Sequence, residues 1–175
     1  MLISLAVLVL IVLAAVLAYA ASRPNTFRVE RALFIDAPPE HIFALINDFH
    51  HWTAWSPWEK LDPTMTRTYA GAALGKGAAY EWDGKGKAGK GRMLLTRSNA
   101  STLILIQLDF IKPFEAHNIA EFTLVPQGTA TQVTWAMYGP QPLVAKVMGL
   151  VFSMNRLVGG DFETGLANLK RLAET

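Results

Sequence analysis

Seven residues come closest to a chemical motif. Gly84-Lys85-Gly86-Lys87-Ala88-Gly89 fits G-x-G-x-x-G, and Gly84 to Lys90 fits the start of a P-loop. Both patterns work only when a helix comes next, because its free N-terminal amides cradle the phosphate. Here the chain continues as Arg92-Met93-Leu94-Leu95-Thr96, which reads as a strand, and Gly91 stands where a P-loop needs Ser or Thr. The segment is therefore a flexible basic hairpin, with Lys85, Lys87, Lys90 and Arg92 suited to anionic lipid headgroups if a membrane lies close.

Acid–base chemistry needs carboxylates or a tyrosine facing a cavity. Asp109, Glu121 and Glu81 fall on the polar parity of alternating segments and are expected to face solvent. Tyr80, Asp83 and Glu59 remain as candidates near an opening, since Tyr80 shares parity with Trp82, Asp83 follows Trp82 and Glu59 follows Trp58. None has an evident partner in the sequence, so no catalytic residue is assigned. His41, His50, His51 and His117 show no ligand spacing of the HExxH kind, and no metal is expected. The chain has no cysteine, which removes disulfides, thiol catalysis and Cys-type zinc sites together. A net charge of +2 gives no case for nucleic acid.

These residues must be positioned by a folded domain. The 175 residues are 51% apolar and 17% charged, which argues against disorder. From Leu2 to Ala21 no residue is charged, and only Ser4 and Tyr19 carry polar groups. Twenty helical residues span roughly 30 Å, the hydrocarbon thickness of a bilayer. The segment is expected to be a membrane anchor. A cleaved signal ending at Ala18-Tyr19-Ala20 is the competing reading, but no Lys or Arg precedes the run. Arg23, Arg28 and Arg31 come after it, which puts the rest of the chain on the cytoplasmic face of a bacterial-type inner membrane. The expected division is an anchor over 1–22, a linker over 23–26 and one domain over 27–175.

Within the domain, alternation over 27–35 predicts a strand. Asp36-Ala37-Pro38-Pro39-Glu40 signals a helix start, and Ile42, Phe43, Leu45, Ile46 and Phe49 supply its buried stripe. A second short helix is expected from His50 to Trp55. Six strands are expected over 65–69, 78–83, 91–98, 102–110, 117–125 and 131–138, joined by turns short enough for an antiparallel meander. Apolar residues at 143, 147, 150, 154, 158, 162, 166, 169 and 172 have helical spacing, with a kink or split expected at Gly159-Gly160.

The stretches FRVERALFIDAPPEHIFALINDFHHWTAWSPWEKLDP, GRMLLTRS, DFIKPFEAHNIAEFTLVPQGTATQVTWAMYGP and VGGDFETGLANLK resemble the START-like (SRPBCC) superfamily, in its polyketide cyclase/dehydrase and lipid-transport branch. The resemblance covers about residues 27 to 173 and implies an α+β helix-grip fold. A curved sheet would wrap a long C-terminal helix and leave a cavity between them. Its walls would hold Tyr80, Trp82, Leu108, Phe110, Phe122, Trp135 and Met137 from the sheet. Val144, Met148, Phe152 and Met154 would come from the helix, and Trp55 and Trp58 from the turn near the mouth. The same residues also suit plain core packing. Three functions are compatible with this fold: a tethered binding domain for a hydrophobic small molecule or lipid, without a cofactor; a cyclase- or hydratase-type enzyme using the same cavity; or a protein-interaction module. No feature bears on oligomeric state.

Overall fold

The computed structural model describes residues 2–150 and 153–175. An apolar helix α1 (Leu2–Ser22) leads into strand β1 (Thr26–Ile35) and helix α2 (Pro39–Asn47). A 3-10 turn at Phe49–His51 runs into the single-turn helix α3 (Trp52–Trp55), and a second 3-10 turn covers Pro57–Lys60. Next come strands β2 (Thr66–Gly71), β3 (Ala78–Asp83), β4 (Lys90–Asn99), β5 (Leu103–Lys112), β6 (Ala116–Gln127) and β7 (Ala130–Pro140), then helices α4 (Leu143–Met148) and α5 (Met154–Ala173).

The strands form one antiparallel sheet in the order β1-β7-β6-β5-β4-β3-β2, so the meander is closed off by β1 pairing with β7. Register shifts at Lys90/Gly91 and Leu95/Arg97 bend the β4–β5 ladder and help the sheet curl. Its concave face carries Leu95, Ile104, Ile106, Phe122, Leu124 and Val133, all at most 2% exposed, against Phe162, Leu166 and Leu169 of α5. This is the helix-grip arrangement expected from the pattern of elements.

One expectation needs correction, and two details of the helices stand beside it. Helix α2 has no side-chain cap; Pro38 and Pro39 start it, and the Asp36 amide donates to Glu174 Oε1 at 2.7 Å instead. The C-terminal helix does not break at Gly159-Gly160. Helix α5 is continuous through both; α4 ends at Met148 and α5 begins at Met154. Gly159 is there for space: a Cβ would collide with the Arg31 guanidinium, whose Nε donates to Glu163 Oε1 at 2.6 Å across the helix. Finally, one side of α4 is open, with Val144 72% and Met148 51% exposed.

Candidate functional site

Helix α5 does not fill the concave face of the sheet along its whole length. Toward the end where β1 begins and β7 finishes, a cavity of about 240 Å³ remains. Trp52 of α3, and Ser56, Trp58, Glu59 and Met65 of the segment between α3 and β2, wall it on one side. Tyr80, Trp82, Met93, Leu108, Phe110, Ala120, Trp135 and Met137 form the sheet side. Lys87 and Ala88 come from the β3–β4 hairpin, and Val158 and Phe162 from α5. Most of this surface is apolar or aromatic, with few polar groups, as in small-molecule sites generally.

Glycines set the aromatic geometry. Gly91 leaves room for the Trp82 ring to lie across β4, and Trp82 Nε1 donates to Ala88 O at 2.9 Å, tying the hairpin to the cavity wall. Asp62 holds the same hairpin from the other side: its Oδ2 accepts from the Lys85 amide at 2.8 Å, while its Oδ1 accepts from Thr64. Those amide and hydroxyl donors, the Lys85 amide first among them, hold the Asp62 carboxyl below its ordinary range. Gly165 admits Trp135, whose ring stacks on Phe162 at 4.3 Å and on Phe122 at 4.8 Å. Trp58 meets Trp135 edge-on at 5.3 Å. The Trp135 Nε1 is the one buried side-chain polar atom among the described residues that lacks a hydrogen-bond partner.

One polar cluster interrupts the apolar wall. Glu59 is 9% exposed; its Oε1 accepts from the Tyr80 hydroxyl at 2.5 Å and its Oε2 from Arg67 Nε at 2.6 Å. Arg67 Nη2 also donates to the Glu59 carbonyl, so the guanidinium grips both ends of the residue. Burial, then the hydrogen bond to Glu59, push the Tyr80 phenol well above its ordinary range. Tyr80 therefore keeps its proton near neutral pH and serves as a fixed donor to the carboxylate, not as a base. The sequence alone shows no partner for Glu59 or Tyr80; the structure pairs them with each other and with Arg67.

Of the residues expected in the walls, Trp58, Tyr80, Trp82, Leu108, Phe110, Trp135 and Met137 line the cavity. Trp55 and Phe122 are completely buried one layer behind it, packed on Trp52 and Trp135. Met154 is half-buried against the core and does not line the cavity. Val144 and Met148 point outward from α4, and Phe152 lies outside the described residues. Asp83 is exposed and paired with Lys90 Nζ at 2.7 Å, away from the wall. Trp52, Ser56, Met65, Met93, Ala120 and Phe162 also line the cavity, and sequence reasoning does not single them out. Met93, Ala120 and Phe162 do carry a signal, since each shares a face with an expected wall residue. Among the described residues no group of three His, Asp or Glu side chains is placed to hold a metal ion.

The family model described as polyketide cyclase/dehydrase and lipid transport matches residues 26–174. No curated protein matches the sequence. Solved structures share the fold. Protein CV1439 from Chromobacterium violaceum aligns with a TM-score of 0.59 and 17% identity, over 87% of this chain and 99% of its own. A structure of the Aha1 dimer from Colwellia psychrerythraea gives 0.60 and 13%, over 85% and 96%. The di-domain ARO/CYC StfQ from the steffimycin biosynthetic pathway gives 0.60 and 9%, over 86% of this chain and 51% of that one. At such identities the likeness is one of fold.

Proposed function

Because the chain belongs to the polyketide cyclase/dehydrase and lipid transport family, we propose that it is a membrane-tethered domain that binds a hydrophobic small molecule or lipid. In this reading residues 1–22 are the anchor, 23–26 the linker and 27–175 the binding domain, facing the cytoplasm as the arginines after the span favour. The observation that carries it is the cavity: it is walled by four tryptophans, yet only Ser56, Glu59, Tyr80 and Lys87 bring polar side chains to its edge. A water-filled space of that composition is unfavourable, whereas an apolar guest removes the lining from water at about 25 cal/mol per Å². Almost none of α1 is packed against protein, which supports a bilayer as its surroundings.

The test is titration of residues 24–175, freed of bound lipid, with an environment-sensitive apolar fluorophore. One saturable site whose occupancy quenches the cavity tryptophans supports the proposal. Non-saturating, tryptophan-silent binding refutes it.

A second reading rests on Glu59, a buried carboxylate at the cavity wall held by Tyr80 and Arg67. In a cyclase- or hydratase-type enzyme this carboxylate would be the group available to exchange a proton with the guest. Glu59→Gln separates the two: a binding domain keeps its affinity within a few-fold, whereas an enzyme keeps its ligand and loses turnover.

A further inference from the structure

Helix α4 is turned inside out. Its single charged residue, Lys146, is only 6% exposed and faces inward, where Nζ donates to Arg23 O and to Asn25 Oδ1, both at 2.7 Å. Its apolar residues face outward: Leu143 is 46%, Val144 72% and Met148 51% exposed, and Leu150 just beyond is 42% exposed. On a surface washed by water this arrangement has the wrong sense, since lysine is among the residues least often buried and a helix normally turns its apolar stripe inward.

The surroundings of α4 supply the reason. Its inward lysine grips the chain just where α1 ends, so α4 sits level with the exit of the apolar span. The ladder registers put more of the molecule at that level. Thr26 pairs with Pro140, Phe110 with Ala116, and Lys90 with both Asp83 and Lys112, so these strand ends share one edge of the sheet with the anchor. The end of β5 and the β5–β6 loop at this edge expose Ile111 (48%) and Phe114 (76%), with Glu115 beside them turned to His117 Nε2 at 3.3 Å. The exposed side chains of Lys85, Lys87 and Lys112 are there as well, and among the described residues no carboxylate pairs with them. Apolar tips flanked by free lysines suit a leaflet of anionic lipid.

We infer that α4 and the β5–β6 loop form a second membrane contact, immersed in the headgroup region of the same leaflet that α1 leaves; this rests on the tethered reading above. The partner is the anionic bilayer surface itself. The contact holds the domain down on the membrane where a linker alone would let it swing. It also orients the cavity. The sheet residues lining it, Tyr80, Trp82, Met93, Phe110 and Met137 among them, all belong to the anchor half of the sheet, and none comes from the far ends of the strands. The partly buried Trp82, Ala88 and Phe110 line the cavity on that side, so in this reading the mouth faces lipid and a guest passes between bilayer and cavity with little exposure to water.

The chain has no cysteine, so a single introduced thiol carries a unique label. Full-length V144C, L8C and T129C are each labelled with an environment-sensitive fluorophore and placed in nanodiscs of phosphatidylcholine and phosphatidylglycerol. An acyl-chain nitroxide lipid is the quencher. Val144 is on the surface, so V144C leaves packing intact; Thr129 lies in the β6–β7 turn at the opposite end of the sheet. The inference expects L8C and V144C to lose most of their emission to the nitroxide, with T129C unaffected. Quenching at L8C with V144C as bright as T129C overturns the docking contact and leaves the tether standing. Absence of quenching at all three overturns the tether and the docking contact together. An unquenched V144C that forms disulfide dimers before labelling assigns the face to a second copy, which also overturns the inference.

Discussion

An unfilled cavity can be told from a packed core by adding atoms to it. Ala120 is the smallest side chain on the concave wall; it is 3% exposed and lies on β6 opposite Met137. Ala120→Leu adds three carbons, which at roughly 30 Å³ each take up about a third of the space. Burying three methylene-sized groups is worth about 2 kcal/mol. Ordering the leucine side chain returns about 0.5–1 kcal/mol of that. The lipid-free domain should therefore gain about 1.5 kcal/mol, a rise in Tm of roughly 4 °C for a domain of this size. Ala78 is equally buried but sits in the filled part of the core, so Ala78→Leu should instead lose about 1–3 kcal/mol. Thermal and urea unfolding of residues 24–175 measures both. The wild type should also gain about 2.7 kcal/mol from a ligand at a hundred times its Kd, a gain the Ala120→Leu variant should largely lose. If Ala120→Leu costs as much as Ala78→Leu, there is no room beside Ala120 and the cavity argument fails.

Other consequences can be checked separately. Glu59→Gln takes the counter-charge from Arg67 and weakens the bond to Tyr80, and should lower stability by about 2 kcal/mol in urea unfolding. The adjacent glycines of α5 should respond differently: Gly160→Ala meets nothing and should gain about 0.5–1 kcal/mol from helix propensity. Gly159→Ala should forfeit that gain, because the new methyl displaces Arg31 from Glu163, an exposed pair worth up to about 1 kcal/mol. His117 bonds Asp109 at 2.8 Å and lies near Glu115, and the Asp109 bond above all lifts its pKa over the ordinary 6.5. Because the folded value is the higher one, the pairing contributes fully below pH 6.5 and is lost as pH rises through the folded value. NMR titration of the His117 ring should give a midpoint above 6.5, moving down toward the ordinary value in Asp109→Asn while Glu115 still holds part of the shift.

The strands are legible in the sequence because their signals are local. Alternation in 131–138 and the turns at Pro126-Gln127-Gly128 and Ser98–Ser101 place β6, β7 and the β4–β5 hairpin within two residues of their ends. Long-range effects are not legible. The Gly159-Gly160 pair looks like a helix break until Arg31, 128 positions earlier on β1, is seen to need the space. Glu59 gains partners from β2 and β3 that no spacing rule connects to a 3-10 turn. Among the cavity residues, parity correctly groups Tyr80 with Trp82 and Leu108 with Phe110. It cannot separate the layer facing the cavity from Trp55 and Phe122 just behind it. Helical spacing likewise gives no direction: Val144 and Met148 share a stripe, and only the bond from Lys146 to the end of α1 fixes which way that stripe points.

Whether the cavity carries a hydrophobic guest is decided by native mass spectrometry of the chain released from its own membranes. One apolar molecule per chain is expected, retained under gentle ionisation by the wild type and missing from Ala120→Leu. A chain whose mass shows no bound molecule under any release condition, in the wild type as in the variant, would contradict it.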